Sequence, residues 1–286
     1  MRKALRWLGY ILAGILVLAL LFAAWVWFAS GRVLGRVHQA APERLGQPSA
    51  AQRADAGRQA RILGCANCHG ARLEGRMMFD AGPFAKVWAP NLTELAARAT
   101  DQQLAAAIRQ GIGHDGRDLF VMPSPMYSRL SGEEVSALIA YIRAAPRVGG
   151  RVSGIEWGPI GRFALAKGDV EFATDRIEQF RVRQPIDTGP GDAAGRRIAA
   201  NVCSECHGAD LSGGQPTPDT SAPGLAIAGA YDLAQFTRLM RTGRPPDGRD
   251  LGLMREVAEL DLSHLTDAEI GQLHAYLQAR AGRVEQ

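Results

Sequence analysis

The chain has 286 residues, enough for two ordinary domains, and its 47% hydrophobic and 22% charged residues are typical of a globular protein. Its formal net charge is +4, but Arg2, Lys3 and Arg6 lie in the first thirty residues, which contain no acidic side chain. Removing these three from the 33 basic residues leaves 30 against 29 acidic ones, a net charge of +1. A nearly neutral remainder has no basic surface for nucleic acid, so we exclude nucleic-acid binding.

The first predicted element is a membrane anchor over residues 7–29. Trp7 to Phe28 is an apolar run of 22 residues, which as a helix is about 33 Å long and spans a bilayer core of about 30 Å. A cleaved signal peptide is the rival interpretation, but only Ala29–Gly31 offers a weak cleavage site. The basic residues before the run place the N-terminus in the cytoplasm and the rest of the chain in the periplasm.

Two copies of a C-x-x-C-H motif contain all four cysteines of the chain. They are Cys65, Cys68 and His69, and Cys203, Cys206 and His207. The pattern is typical of covalent haem attachment, because two thiols at this spacing form thioethers to one porphyrin and the next His binds its iron. A structural zinc site needs a second pair of ligands, and a thioredoxin-like dithiol needs a βαβ pattern; the sequence shows neither. We therefore predict two covalently bound haem c groups.

The motifs belong to an internal repeat. Asp115–Leu119 recurs letter for letter as Asp247–Leu251, and Met122 and Met254 follow these segments at the same spacing. The repeat predicts two similar domains, joined by a segment that matches neither copy.

The repeat gives the domain boundaries. We predict a linker at 30–50, a first domain at 51–146, an interdomain segment at 147–189 and a second domain at 190–283. The linker sequence is tether-like, with Pro and Gly residues. The interdomain segment has four aromatic residues, too many for a bare tether. We expect it to pack across both domains.

An all-α fold is predicted, because no strand pattern is strong. Ser/Thr-x-x-Glu/Gln patterns beginning at Thr100, Ser131 and Thr266 predict capping boxes at three helix starts. Gly57 and Gly195 lie inside predicted helices, where Gly is unfavourable, which indicates close packing against a neighbour. Tyr141 and Tyr276, in the final helix of each repeat, are the expected partners.

The axial ligands follow from the repeat. His69 and His207 are the predicted proximal ligands, and each is expected to donate its other ring N–H to a carbonyl, that of Pro90 or Pro223. Met122 is the leading sixth ligand of the first haem. Met126 remains open as an alternative at this point. His114 could also compete, but its counterpart in the second repeat is Pro246, so we expect an exposed loop histidine there. We expect Met77 and Met78 to pack at the ring edge.

Met254 is the predicted sixth ligand of the second haem, with His264 as the alternative. We expect Met240 to lie in a helix core and His274 to be a satisfied side chain at the domain edge. Met122 is followed by a proline, whereas Met254 has none and lies three residues further from the final helix. We therefore expect the second ligand loop to be looser.

These residues together resemble the class I cytochrome c fold in duplicate, over about 51–146 and 190–283. The order of haem motif, Pro of an Ala-Pro-Asn-Leu-Thr stretch, ligand Met and Tyr of the last helix is similar to that of membrane-anchored dihaem cytochromes c. It is also similar to the cytochrome subunits of bacterial alcohol and aldehyde dehydrogenases, which usually carry three haems; this chain has two motifs.

The resemblance implies an electron carrier rather than an enzyme. We expect a dihaem cytochrome in the cytoplasmic membrane that passes electrons from a quinol-oxidising complex or dehydrogenase to an oxidase, reductase or soluble cytochrome. Two alternatives stay open at this point: a dedicated subunit of a membrane dehydrogenase complex, and a dihaem peroxidase with an open haem.

Overall fold

The structure is a computed structural model that describes residues 2–150, 154–217 and 219–284, and these residues are mostly helical. The α-helices are α1 (Arg2–Leu34), α2 (Ala50–Ile62), α3 (Cys65–His69), α4 (Leu92–Ala96), α5 (Asp101–Gln110), α6 (Ser124–Tyr127), α7 (Gly132–Ala144), α8 (Pro159–Lys167), α9 (Ala173–Val182), α10 (Ala193–Ile198), α11 (Ser204–His207), α12 (Leu233–Thr242), α13 (Leu253–Leu260) and α14 (Asp267–Val284). The strands are β1 (Arg76–Asp80), β2 (Ala85–Ala89), β3 (Gly154–Trp157), β4 (Gly213–Thr217) and β5 (Thr220–Pro223). Shorter helical turns are Pro190–Asp192, Ala199–Cys203, Leu225–Ala230 and Leu262–His264.

Helix α1 is longer than the predicted anchor. Its 33 residues extend for about 50 Å, more than a bilayer core of about 30 Å requires. Among the described residues it is the one helix long and apolar enough to cross a membrane, with a mean hydropathy of 2.6. The apolar side chains from Trp7 to Phe28 are largely exposed, whereas Ser30 is fully buried. The last turns of α1 therefore pack against the rest of the protein.

Residues 35–49 do not form the loose tether that their composition suggested. His38 pairs with Asp118 at 2.8 Å, so the segment is fixed to the first domain soon after α1 ends. Glu43 is buried, and its carboxylate lies 3.2 Å from Nε of Arg109 and 2.6 Å from Nε2 of Gln110. A buried carboxylate needs such partners, and here they hold the segment against α5.

The first domain packs α2 and α4 to α7 around one apolar core. Gly57 of α2 faces Tyr141 of α7 so closely that a Cβ on Gly57 would lie 3.1 Å from the ring. The capping boxes predicted at Thr100 and Ser131 are confirmed, since each side chain accepts from the backbone N–H three residues later and the reciprocal bond is present.

The second domain repeats this arrangement with α10 and α12 to α14. A Cβ on Gly195 would lie 2.0 Å from the carbonyl oxygen of Gln272 and 2.7 Å from Cβ of Tyr276. Only glycine lets α10 and α14 approach this closely, so the close packing predicted at both glycines is confirmed. Thr266 and Glu269 form the third predicted capping box.

The interdomain segment contributes a strand and two helices. Strand β3 pairs antiparallel with β2 of the first domain, with Ala85 opposite Trp157. Helix α9 places Phe180 in the first core and pairs Arg176 with Glu205 of the second domain at 2.7 Å. The segment thus packs against both domains, as expected. Its strand has four residues, too few for a sequence pattern to indicate it.

The two domains share their cores. Ile62 of the first domain packs in the second core, and Ala209 of the second domain packs in the first. Arg58 of α2 adds an ion pair with Glu269 of α14 at 2.6 Å. The repeats are therefore joined by buried apolar contacts as well as by charges.

Candidate haem sites

The first C-x-x-C-H motif forms the short helix α3, held between two glycines with positive φ. Gly64 has φ +73° before it and Gly70 has φ +89° after it, a backbone conformation that favours glycine. His69 is only 6% exposed, and its Nδ1 lies 2.9 Å from the carbonyl oxygen of Pro90. Burial lowers the pKa of His69, so the imidazole is neutral at pH 7. With Nδ1–H donated to Pro90, Nε2 keeps the lone pair that an iron ligand needs.

The surroundings of the cysteines do not favour thiol–disulfide exchange. Burial raises the pKa of Cys65 and of Cys203 to about 12. A redox-active dithiol depends on a thiolate with a lowered pKa, which neither motif provides. Within the described residues there is no group of three or more His, Cys, Asp or Glu side chains placed to hold a metal ion by themselves. The described residues therefore provide no ligand set for the alternative interpretation of the motifs as a structural zinc site.

An apolar cavity of about 450 Å³ lies beside the first motif. Cys65, Cys68, His69, Pro90 and Met122 all line it. Its other walls are largely aliphatic and aromatic side chains from α5, α7 and the β2–β3 sheet. The cavity thus brings two thiols, an imidazole and a thioether to one apolar space, and these residues fit a covalently bound haem c.

The alternative ligands of the first site are placed differently. Met126 is buried within the first core and does not line the cavity, whereas Met122 does. Met78 lines the cavity and Met77 is half exposed, so only Met78 occupies the position expected of a residue at the ring edge. His114 lies exposed on the loop at the cavity rim. The arrangement favours Met122.

The second motif repeats the histidine geometry in a more open setting. Nδ1 of His207 lies 2.8 Å from the carbonyl oxygen of Pro223, and burial lowers the pKa of His207 as it does that of His69. His207 is nevertheless only partly buried. Cys203 ends the helical turn 199–203 and packs, together with Met254, against the second core. Cys206 follows in α11. The residues again fit a haem c.

Met254 stays the predicted sixth ligand of the second haem, and the other candidates have the following surroundings. His264 lies at the domain interface, where its carbonyl accepts a 3.1 Å hydrogen bond from Arg58 of α2. Met240 is buried in the core, and His274 lies 2.8 Å from the carbonyl oxygen of Tyr231. The expectation of a looser ligand loop is wrong, because Met254 lies in the first turn of α13. The extra residues before α14 form helical structure.

Two residues at the domain interface escaped the sequence analysis. Arg129 follows α6 of the first domain, and its guanidinium donates to the carbonyl of Ala200 and the hydroxyl of Ser204, each at 3.1 Å, beside the second motif. The same group donates to the carbonyls of Phe180, Arg183 and Ala209, each at 2.9 Å. The second residue is Asp261, which reaches from the second domain to the first.

Asp261 belongs to the second domain and lies against the first motif. It is 7% exposed, a side-chain hydrogen bond joins it to Asn67, and its carboxylate lies 3.6 Å from the position of a Cβ on Gly64. Burial raises its pKa to about 6. Each domain therefore supplies one charged side chain to the other domain's motif: Arg129, which is half-buried, and Asp261, which is buried. No repeat pattern signals such residues, because their partners lie in the opposite copy.

Comparison with known proteins agrees with this geometry. The cytochrome c family matches residues 54–146 and 193–281. The chain is 26% identical to the fructose dehydrogenase cytochrome subunit of Gluconobacter japonicus, over 77% of this chain and 51% of that protein. It is 27% identical to the gluconate 2-dehydrogenase cytochrome c subunit of Pantoea cypripedii, over 77% and 57%.

A third relative is the alcohol dehydrogenase (quinone) cytochrome c subunit of Gluconacetobacter polyoxogenes, 25% identical over 77% of this chain and 54% of that protein. The chain thus spans about half the length of the curated relatives it matches. The two matched regions coincide with the two motif-bearing repeats and cover more than half of the chain. The chain therefore belongs to the cytochrome c family of electron carriers and contains two tandem cytochrome c domains.

Proposed function

We propose that this protein is a membrane-anchored dihaem cytochrome c that relays electrons from a dehydrogenase to an acceptor in the respiratory chain. In this proposal α1 crosses the cytoplasmic membrane, and the basic residues before the apolar run keep the N-terminus in the cytoplasm. Both cytochrome domains then lie in the periplasm.

The observation that carries the proposal is that one short segment of the first domain contacts both haem-motif regions. Tyr127 of α6 donates a hydrogen bond to the carbonyl of Leu63, next to the first motif. Two residues later, Arg129 donates to Ala200 and Ser204 at the second motif. One short stretch of the first domain thus touches both attachment sites, which supports transfer between two haems inside a single protein.

The side chains have separate roles at each proposed site. The cysteines would hold the porphyrin covalently, and His69 and His207 would offer neutral Nε2 atoms to the iron because Pro90 and Pro223 accept the other ring N–H. Met122 and Met254 would offer thioether sulfurs to the iron. Bound haem c supplies reversible one-electron chemistry, and thioether ligation suits electron transfer rather than activation of small molecules.

The partners are proposed from the relatives. The three relatives named above are described as cytochrome subunits of dehydrogenases for fructose, gluconate and alcohol. By analogy we propose a membrane-associated dehydrogenase as the electron donor. An oxidase, a reductase or a soluble cytochrome would be the acceptor.

Purification of the full chain from its native membrane tests the proposal. We expect a dehydrogenase to co-purify and its substrate to reduce the haems of the isolated complex. The matched control is the double variant Cys203→Ala/Cys206→Ala, whose remaining haem should be reduced without efficient transfer to the acceptor. If no dehydrogenase substrate reduces the haems in native membranes, the proposed donor is wrong.

A further inference from the structure

We propose that α8 is an interfacial helix, which lies in the headgroup region of the bilayer that α1 crosses and holds the first haem site at the membrane surface. The partner of this surface is the lipid bilayer itself. The inference rests on the membrane anchoring in the proposed function, and goes beyond it by assigning a second membrane contact and the haem site closest to it.

Helix α8 packs directly on the last turns of the anchor. The ring of Phe163 lies 5.7 Å from that of Phe22 and 6.5 Å from that of Trp25, measured between centroids. The guanidinium of Arg162 stacks over Trp27 at 4.0 Å and donates to the hydroxyl of Ser30 at 3.1 Å. These contacts fix the membrane depth of α8 relative to a defined part of α1.

That part of α1 lies at the outer edge of the hydrocarbon core. A core of about 30 Å takes up about 20 helical residues. Counted from Trp7, the first residue after the basic cluster, these end near Val26. Phe22 and Trp25 therefore lie within the last turn or two of the apolar core, and Phe163, which touches both, reaches the same depth.

The composition of α8 suits this depth. Its inner face is fixed to the protein, because Leu165 is buried and a Cβ on Gly161 would lie 2.2 Å from the carbonyl oxygen of Phe84. Its outer face leaves Ile160 54% exposed and Phe163 38% exposed. Apolar side chains at this level avoid water only if lipid covers them.

The charges of α8 lie where the headgroups would be. Arg162 and Lys167 carry long stems that extend along apolar surface with the charged end in the polar layer. The ammonium of Lys167 lies 5.8 Å from the Phe163 ring and 2.7 Å from the carboxylate of Asp169. Together with Trp25 and Trp27, these residues form the mixed aromatic and basic belt typical of membrane interfaces.

The position of α8 decides which haem site is closer to lipid. Val33 and Leu34, in the last turn of α1, line the first haem cavity, and so does Trp157, just before α8. Leu34 is eight residues beyond Val26, about 12 Å along the helix axis. The first site therefore borders the headgroup layer, whereas the second lies on the far side of the domain interface.

Photolabelling from the lipid tests this placement on the unaltered protein. The full chain is reconstituted in nanodiscs of phosphatidylcholine and phosphatidylglycerol that contain a lipid with a diazirine in its acyl chain near the headgroup. After illumination, the labelled peptides are mapped by mass spectrometry. We expect strong labelling of α1 and α8 and only background labelling of α9, where Val182 is 73% exposed.

The outcomes separate this inference from the anchoring itself. If α1 is labelled while α8 is no more labelled than α9, the inference is overturned and the anchor stands. If neither α1 nor α8 is labelled, both the inference and the anchoring are wrong. The variant Ile160→Glu, with haem absorbance unchanged, should reduce α8 labelling several-fold and leave α1 labelling as it was; Val182→Glu should change neither.

Discussion

The two haem sites use the same residues in different surroundings. Each joins a C-x-x-C-H motif, a proline carbonyl that accepts from the histidine, and a methionine that follows an Asp-Gly-Arg-Asp-Leu segment. The first histidine is almost fully buried and its site borders the anchor helix, whereas His207 is partly exposed. The repeat thus predicts the same ligands at both sites, whereas the environment of each site depends on what each copy packs against.

The charges at the two sites are opposite in sign. Arg129 of the first domain lies against the second motif, and Asp261 of the second domain lies against the first. A nearby cation stabilises a reduced haem relative to an oxidised one, and an ionised carboxylate does the reverse. The domain interface therefore makes two sites with the same predicted ligands electrostatically unequal.

The largest expected effect is loss of one haem. The double variant Cys203→Ala/Cys206→Ala removes both thioether donors of the second site, so the protein should carry one covalent haem in place of two. Cys65→Ala/Cys68→Ala should remove the other. Intact mass after acid–acetone extraction measures the number of haems, and covalent haem that persists at a varied motif would contradict the assignment.

Removal of a methionine should open one site at a time. With Met122→Ala or Met254→Ala, the reduced protein should bind CO at the varied haem, because the thioether no longer fills the sixth position. Absorbance spectra under CO report the binding. His264→Ala is the control and should leave both spectra unchanged; CO binding by the unaltered reduced protein would favour an open haem and an enzymatic role.

Loss of the Arg129 side chain should destabilise the domain interface. Arg129→Met leaves four carbonyls and one hydroxyl without their donor, and at about 1 kcal/mol for each hydrogen bond we expect a loss of about 3–5 kcal/mol. Urea unfolding followed by haem absorbance measures it. The exposed Arg181→Ala should cost less than about 0.5 kcal/mol, and an equal loss in both variants would argue against a special role for Arg129.

Asp261 should make stability depend on pH between about 4 and 6. Its pKa is raised from 3.8 to about 6 by burial, so the folded protein favours the protonated form. Protonated Asp261 therefore contributes fully to the stability of the folded protein below pH 4, and this contribution is lost as the pH rises through 6. Asp261→Asn should therefore be more stable than the parent above pH 6, by up to about 3 kcal/mol, and equal to it below pH 4. A pH-independent difference in urea unfolding would contradict this.

The sequence predicted the parts of the fold that depend on local chemistry. Capping boxes, the glycine–tyrosine approaches and the hydrogen bond from histidine to a proline carbonyl are encoded within one copy, and the structure contains them. The spacing after the first Asp-Gly-Arg-Asp-Leu segment also indicated Met122, which lines the cavity beside the first motif.

Contacts between segments far apart in the chain were not predictable in this way. Arg129 and Asp261 reach across to the opposite repeat, and β3 pairs with β2 from nearly 70 residues away. Residues 35–49 looked like a tether because they contain Pro and Gly residues, yet the buried Glu43 fixes them to α5. Periodicity carries no information about such partners, since a single residue makes each contact.

The central claim is that the domain interface makes the two haem sites unequal. Spectroelectrochemical titration of both haems between pH 4.5 and 8 tests this claim most directly. The midpoint potential of the first haem should fall as the pH rises through about 6, since Asp261 becomes charged beside its motif. Asp261→Asn should remove that fall, and the potential of the second haem should not respond to the substitution. Equal pH responses of both haems, unchanged by Asp261→Asn, would contradict the account.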